Sequence, residues 1–221
     1  MTATMPPAPP APPGPPPSSG HPVQLSVVHQ QRYSRGLAIL GVVWFYGRYI
    51  ALIPVYVVLF VVGIAAFFTA WFMQFAVLFT GRYPPGAHRF LSGFLALTIR
   101  STCWMLGLED RYPGFAVGPD PTGSVALEVP HAPRYSRGLD ALGCLLFLGR
   151  VIALIPVFVV VYVIALVATI VAWFMQFAVL FTGRYPAGAH EFVTGYVRLS
   201  ARTNAWMFGL TDSYPGFSLQ P

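Results

Sequence analysis

The sequence predicts an all-α membrane protein built from two same-sense tandem repeats, each a helical hairpin plus an interfacial amphipathic helix, with short strands outside the bilayer. Three observations predict it. Of the 221 residues 56% are hydrophobic and only 9% charged, far below the roughly 25% charge of ordinary soluble domains. Residues 37–81 and 139–183 are long apolar stretches, of the kind that crosses a hydrocarbon core. Residues 24–117 superimpose on 126–219 at a constant offset of 102 without a gap, with 55 identities in 94 positions, which marks an internal duplication.

The elements follow in order. Residues 1–23 are rich in proline, alanine, glycine and serine, a composition with almost nothing to bury, so they are expected to form a disordered tail. Repeat 1 occupies 24–117, a linker 118–125, and repeat 2 126–221. Each repeat opens on an alternating stretch, Leu25 with Val27 and Leu127 with Val129, and closes on Phe115 with Val117 and Phe217 with Leu219. These read as brief strands. Between them the pattern gives three helical segments per repeat, at 36–53, 55–81 and 87–108 in the first. Pro54 and Pro156 separate the first two segments, because proline removes a helix donor and clashes with the preceding turn. A middle segment of about 27 residues is about 40 Å long, enough to cross with tilt. The third carries Arg89 and Arg100 in copy 1, and Glu191, Arg198 and Arg202 in copy 2, spaced along one face as in an interfacial amphipathic helix.

Because the two copies share their arginine motifs, both are expected to present them to one compartment, which requires an even number of crossings per copy. One hairpin each gives four crossings; if instead the first segment lies flat and each copy crosses once, the copies are inverted and identical arginine motifs face opposite sides. With nearly all arginines on one side, the positive-inside rule makes that side the cytoplasm, with both termini there and the protein in the cell's inner (plasma) membrane.

Three motifs recur letter for letter: Arg32-Tyr-Ser-Arg-Gly36 with Arg134-Tyr-Ser-Arg-Gly138, Phe79-Thr-Gly-Arg-Tyr-Pro84 with Phe181-Thr-Gly-Arg-Tyr-Pro186, and Tyr112-Pro-Gly-Phe115 with Tyr214-Pro-Gly-Phe217. On these the chain resembles tandem copies of DUF4389, a family of uncharacterised bacterial, mainly actinobacterial, membrane proteins. The resemblance implies a membrane location and carries over no activity and no catalytic residue.

All thirteen basic residues are arginine, giving a net charge of +6. Arg32, Arg35, Arg82, Arg134, Arg137 and Arg184, flanked by tyrosines, are expected to anchor helices and contact anionic lipid headgroups. Arg48, Gln74, Arg150 and Gln176 are the polar candidates inside the membrane. Gln74 and Gln176 are expected to pair with each other across the interface between the copies, or else to bond carbonyls of their own helices. The arginines are expected to snorkel from a helix end to phosphate, ahead of a transport role. Trp71 and Trp173 read as packing or belt residues. His29, His131, His88 and His190 recur at equivalent places but lack metal-motif spacing. Cys103 and Cys144, without C-x-x-C spacing, read as free thiols.

No nucleophile elbow, phosphate-cradling loop or paired carboxylates occur, so the expectation is a non-enzymatic scaffold or accessory subunit with no cofactor. Its partners would be the lipid bilayer and anionic lipids, with a membrane protein or a second copy beside them, and not nucleic acid. The alternative is a small oligomeric transporter or channel with its site between the repeats.

Overall fold

The computed structural model describes residues 20–220. The chain runs β1 (Gln24–Val27), α1 (Arg35–Val42), α2 (Tyr46–Thr80), α3 (Pro85–Met105), β2 (Val125–Glu128), α4 (Arg137–Cys144), α5 (Leu148–Thr182) and α6 (Ala187–Met207). Two tandem copies of one unit are therefore present, as the 102-residue offset requires. The predicted tail lies outside the described residues except at its end, where Val23 is fully buried and accepts a hydrogen bond from Arg202. The folded unit thus begins before residue 24.

The predicted hairpin is not formed. Pro54 and Pro156 lie inside the continuous 35-residue helices α2 and α5. Each sits in the helix's third turn, where Tyr112 and Tyr214 donate to the carbonyls of Ala51 and Ala153 at 2.9 Å. An outside donor of this kind helps re-satisfy backbone loosened by a proline. The break comes earlier, at Trp44–Phe45 and Leu146–Phe147, all four in left-handed backbone conformation without glycine. That conformation costs roughly 1–2 kcal/mol per residue, and it persists because the corner is pinned on both sides. Phe45 and Phe147 are buried, and Gly47 and Gly149 let the new helix pass against Leu40 and Leu142, where a Cβ would approach to 2.9 and 2.7 Å. What remains of the first segment is an eight-residue helix, about 12 Å long and too short to cross.

The copies are not arranged in the same sense either. Arg48, near the start of α2, bonds Gln176, near the end of α5. At the other end Gln74 and Asp140 crowd the same face of Gly209, and Asp140 pairs with Arg150 near the start of α5. The long helices therefore run antiparallel, about a pseudo-two-fold axis roughly perpendicular to both. Tertiary contacts between interdigitating copies decide this, and a repeat carries no record of its partner's direction.

Three layers follow from the packing. β1 and β2 pair antiparallel, Gln24 opposite Glu128 and Val27 opposite Val125, and rest chiefly on α6 and α3. The closing stretches at 115–117 and 217–219 form no strands. The helices α3 and α6 form the middle layer. They pack on each other and on α2 and α5, and twelve of the 21 residues of each are buried. They are not surface amphipathic helices: Arg100, Arg198 and Arg202 are buried and donate to carbonyls of Ala116, Leu25 and Ser218. Their charge faces the closing segments and the β1 backbone instead of a lipid surface. In the third layer α1 lies on α5 and α4 on α2.

The layers differ sharply in surface. The exposed large hydrophobics of the helices all belong to α1, α2, α4, α5 and their corners, from Ile39 to Phe79 and from Leu142 to Phe181, and none to α3 or α6. The helices α2 and α5 are long and apolar enough to cross a membrane, and only 17% of each one's most apolar window is buried. A core helix of a soluble domain would instead bury most of that surface.

Candidate functional site

The candidate site is the polar seam where each copy meets the other, and it is built twice. In the first half, Arg48 is 2% exposed. Its guanidinium donates to the carbonyl of Trp104 at the end of α3, lies over the Trp104 ring at 5.0 Å, and donates from Nη2 to Gln176 Oε1 at 3.3 Å. Gln176 in turn donates to Leu106 and Ala172 carbonyls at 3.4 and 3.1 Å. Gly41 makes room for it, since a Cβ there would stand 2.7 Å from the Gln176 side chain.

The second half repeats the plan with one change. Arg150 is fully buried, donates to the Trp206 carbonyl at 2.6 Å and lies 4.9 Å from the Trp206 ring centre. Its Nη2 reaches Asp140 Oδ1 at 2.8 Å. Copy 1 has Ala38 at the place of Asp140. Gln74, freed from the arginine, donates to Phe208 O at 3.4 Å, and its Oε1 is buried without a partner. Neither arginine snorkels to the surface. The two glutamines do not pair with each other either; each reaches the end of the other copy's third helix, and Gln176 also bonds its own helix. A guanidinium removed from water needs acceptor oxygens nearby, and the carbonyl end of a helix supplies them.

Trp71 and Trp173 hold the seam together. Their indole nitrogens donate to Cys144 O and Val42 O at 2.9 and 2.8 Å, capping the short helix of the opposite copy. Cys103 and Cys144 are free thiols.

The histidines meet across the copies, which their sequence spacing does not reveal. His29 and His190 have ring centres 4.6 Å apart, His88 and His131 4.8 Å. His29 and His131 bond the Tyr185 and Tyr83 carbonyls at 2.8 Å. Burial, reinforced by the neighbouring imidazole, pushes His88 and His190 down to about 4, because both effects disfavour the cation. Among the described residues no three His, Cys, Asp or Glu side chains gather where they could hold a metal ion.

The six surface arginines converge as well. Arg82 of copy 1 shares a cleft with Arg134 and Arg137 of copy 2, and Arg184 shares one with Arg32 and Arg35. The backbone fixes these clefts: Tyr135 N donates to Gly81 O at 3.1 Å and Tyr33 N to Gly183 O at 2.9 Å.

No curated protein and no solved structure matches the chain. The family described as Domain of unknown function (DUF4389) matches residues 42–116 and again 146–218. Both stretches run from the left-handed corner through the long helix to the Tyr-Pro-Gly-Phe close, so the chain belongs to this family and contains two tandem copies of its domain.

Proposed function

We propose that the protein is a non-enzymatic membrane module, a scaffold or accessory subunit, that embeds its apolar helical layer in the inner membrane and engages anionic lipid or a membrane partner from the cytoplasmic side. The observation that carries this reading is the segregation of surface: apolar side chains cover one layer, while the two-stranded ribbon lies on the opposite face of α3 and α6.

This segregation favours insertion from one side over spanning. At 35 residues each, α2 and α5 are about 52 Å long against a core of about 30 Å. Standing them upright would place the pseudo-two-fold axis in the membrane plane and set the ribbon at mid-depth. Among the described residues β1 and β2 pair only with each other, and open strand edges are not tolerated in hydrocarbon. Laid along the membrane, the same fold sinks its apolar layer and keeps the ribbon in water. Both copies then present their arginine motifs to one compartment, as the duplicated motifs led us to expect, without four crossings.

Cysteines introduced at the equivalent exposed positions Pro85 and Ala187 test the arrangement with an impermeant maleimide on oriented vesicles. One-sided insertion predicts labelling of both from the same side; labelling from opposite sides would establish an inverted spanning pair. Extraction into native nanodiscs with mass spectrometry of co-purifying material then tests the scaffold role, which requires a stoichiometric protein or an enriched anionic lipid.

A small oligomeric transporter with its site between the repeats is the second reading. One observation favours it: among the described residues Arg48 has no carboxylate within ion-pair distance, and an unpaired buried charge in such a protein is by default a functional group. Flux through proteoliposomes that is abolished by Arg48→Gln would select this reading.

A further inference from the structure

Two arginine clefts lie where the copies meet. The first, about 740 Å3, is lined by Thr80, Gly81, Arg82, Arg134, Tyr135 and Arg137. Its mirror, about 650 Å3, contains Arg32, Arg35 and Arg184 beside Tyr33 and Gly183. Among the described residues none of the six guanidiniums makes an ion pair or a side-chain hydrogen bond. One acid stands beside each cleft, Asp212 accepting from Ser136 N at 2.7 Å and Asp110 from Ser34 N at 2.5 Å, and neither comes within ion-pair distance of a cleft arginine. Three like charges held in one concavity repel each other unless an anion joins them.

A helix C-terminus accounts for one cation per cleft. Arg137 lies over the Gly81 turn, where a Cβ would come within 3.3 Å of its Nε, and Arg35 lies likewise over Gly183. These positions suit the negative end of the helix dipole. The other two arginines in each cleft have no such role. Beside each cleft stands the most exposed aromatic of its copy, Phe79 at 76% and Phe181 at 75%, so the cationic cleft opens directly beside apolar surface.

We propose that each cleft binds one phosphate group, two per chain, with arginines of both copies clamping the same anion. Guanidiniums match phosphate oxygens in bidentate geometry. The identity of the donor, a phospholipid headgroup or soluble phosphate, rests on the membrane reading above, while phosphate recognition does not.

Native mass spectrometry of the full-length protein, released from vesicles of phosphatidylcholine with and without phosphatidylglycerol, counts retained lipids. Two phosphatidylglycerol molecules per chain are expected, falling to one in Arg82→Gln/Arg134→Gln and in the mirror variant Arg32→Gln/Arg184→Gln, and to none when the two are combined. Tryptophan fluorescence of the same variants confirms that they are folded. Retention of no lipid together with a rise in Tm with inorganic phosphate in detergent, lost in the combined variant, would assign the clefts to a soluble phosphate. Lipid counts unmoved by the variants, or neither response in the folded wild type, would overturn the proposal. Vesicle flotation, which depends on the apolar layer, separates that failure from failure of the membrane reading.

Discussion

Replacing Asp140 by alanine makes copy 2 imitate copy 1, and the cost can be worked from the two halves of the same molecule. Asp140 is 1% exposed and its Arg150 partner fully buried, at 2.8 Å. Breaking such a pair and leaving its partner behind commonly costs about 3–5 kcal/mol, while a charge-assisted hydrogen bond by itself contributes about 1.5–3 kcal/mol. Copy 1 already houses Arg48 opposite Ala38, using the Gln176 amide oxygen. The equivalent oxygen of Gln74 is buried and unpartnered, so it can take the place of Asp140. Asp140→Ala should therefore cost only about 2 kcal/mol, near the lower figure. Gln74→Leu alone removes one long bond to Phe208 O, worth about 0.5–1 kcal/mol. The double variant strands Arg150 with only its tryptophan contacts and should cost about 4 kcal/mol, toward the broken-pair value. The assay is a double-mutant cycle by reversible unfolding in mixed micelles, followed by tryptophan fluorescence. Additivity within about 0.5 kcal/mol would refute the idea that the glutamine substitutes for the carboxylate.

Two further outcomes are expected. Gly143→Val should destabilise by about 1–3 kcal/mol through overpacking, since a Cβ there meets Gln74 Oε1 at 2.3 Å, whereas Gly86→Ala, with nothing within 4 Å, should be close to neutral by the same unfolding assay. With His88 and His190 depressed to about 4 from an ordinary 6.5, the unfolded chain binds more protons between those values. Stability should be full above pH 6.5, fall as the pH drops toward 4, and fall less in His88→Gln/His190→Gln; a flat Tm across that range in the wild type would contradict the buried pairs.

The duplication, the long apolar helices and the polar identity of the seam were legible in the sequence because each depends on local composition or on an offset. The hairpin was not. Proline is a strong breaker signal, yet Pro54 continues a helix, and the true corner uses Trp44 and Phe45, residue types that give no hint of left-handed backbone. Gly47 and Gly149 are needed only because the corner itself brings Leu40 and Leu142 against them. The arginines illustrate the same limit. The sequence places Arg48 within an apolar stretch and Arg82 at its end, but not what each meets: Arg48 is buried against Trp104 and Arg82 is exposed in a cleft, through contacts with residues 56 and about 50 positions away that sequence period alone does not specify. The third helix misled for a related reason, because charges on one face look alike whether they meet water or the carbonyls of a closing segment.

The exchange of short helices between the copies governs how the protein comes to exist. β1 waits for β2, α1 for the far end of α5, and the carbonyl end of α1 for Trp173. A nascent chain that has emerged as far as residue 117 owns none of these partners, since each lies in the second copy. At roughly 5–20 residues per second, synthesis of the 102 residues that separate equivalent positions leaves the first half open for about 5–20 s. During that interval the faces of α1 and α2 that α5 and α4 will cover stay open, and fusing the copies in one chain guarantees that the missing half arrives at the same place.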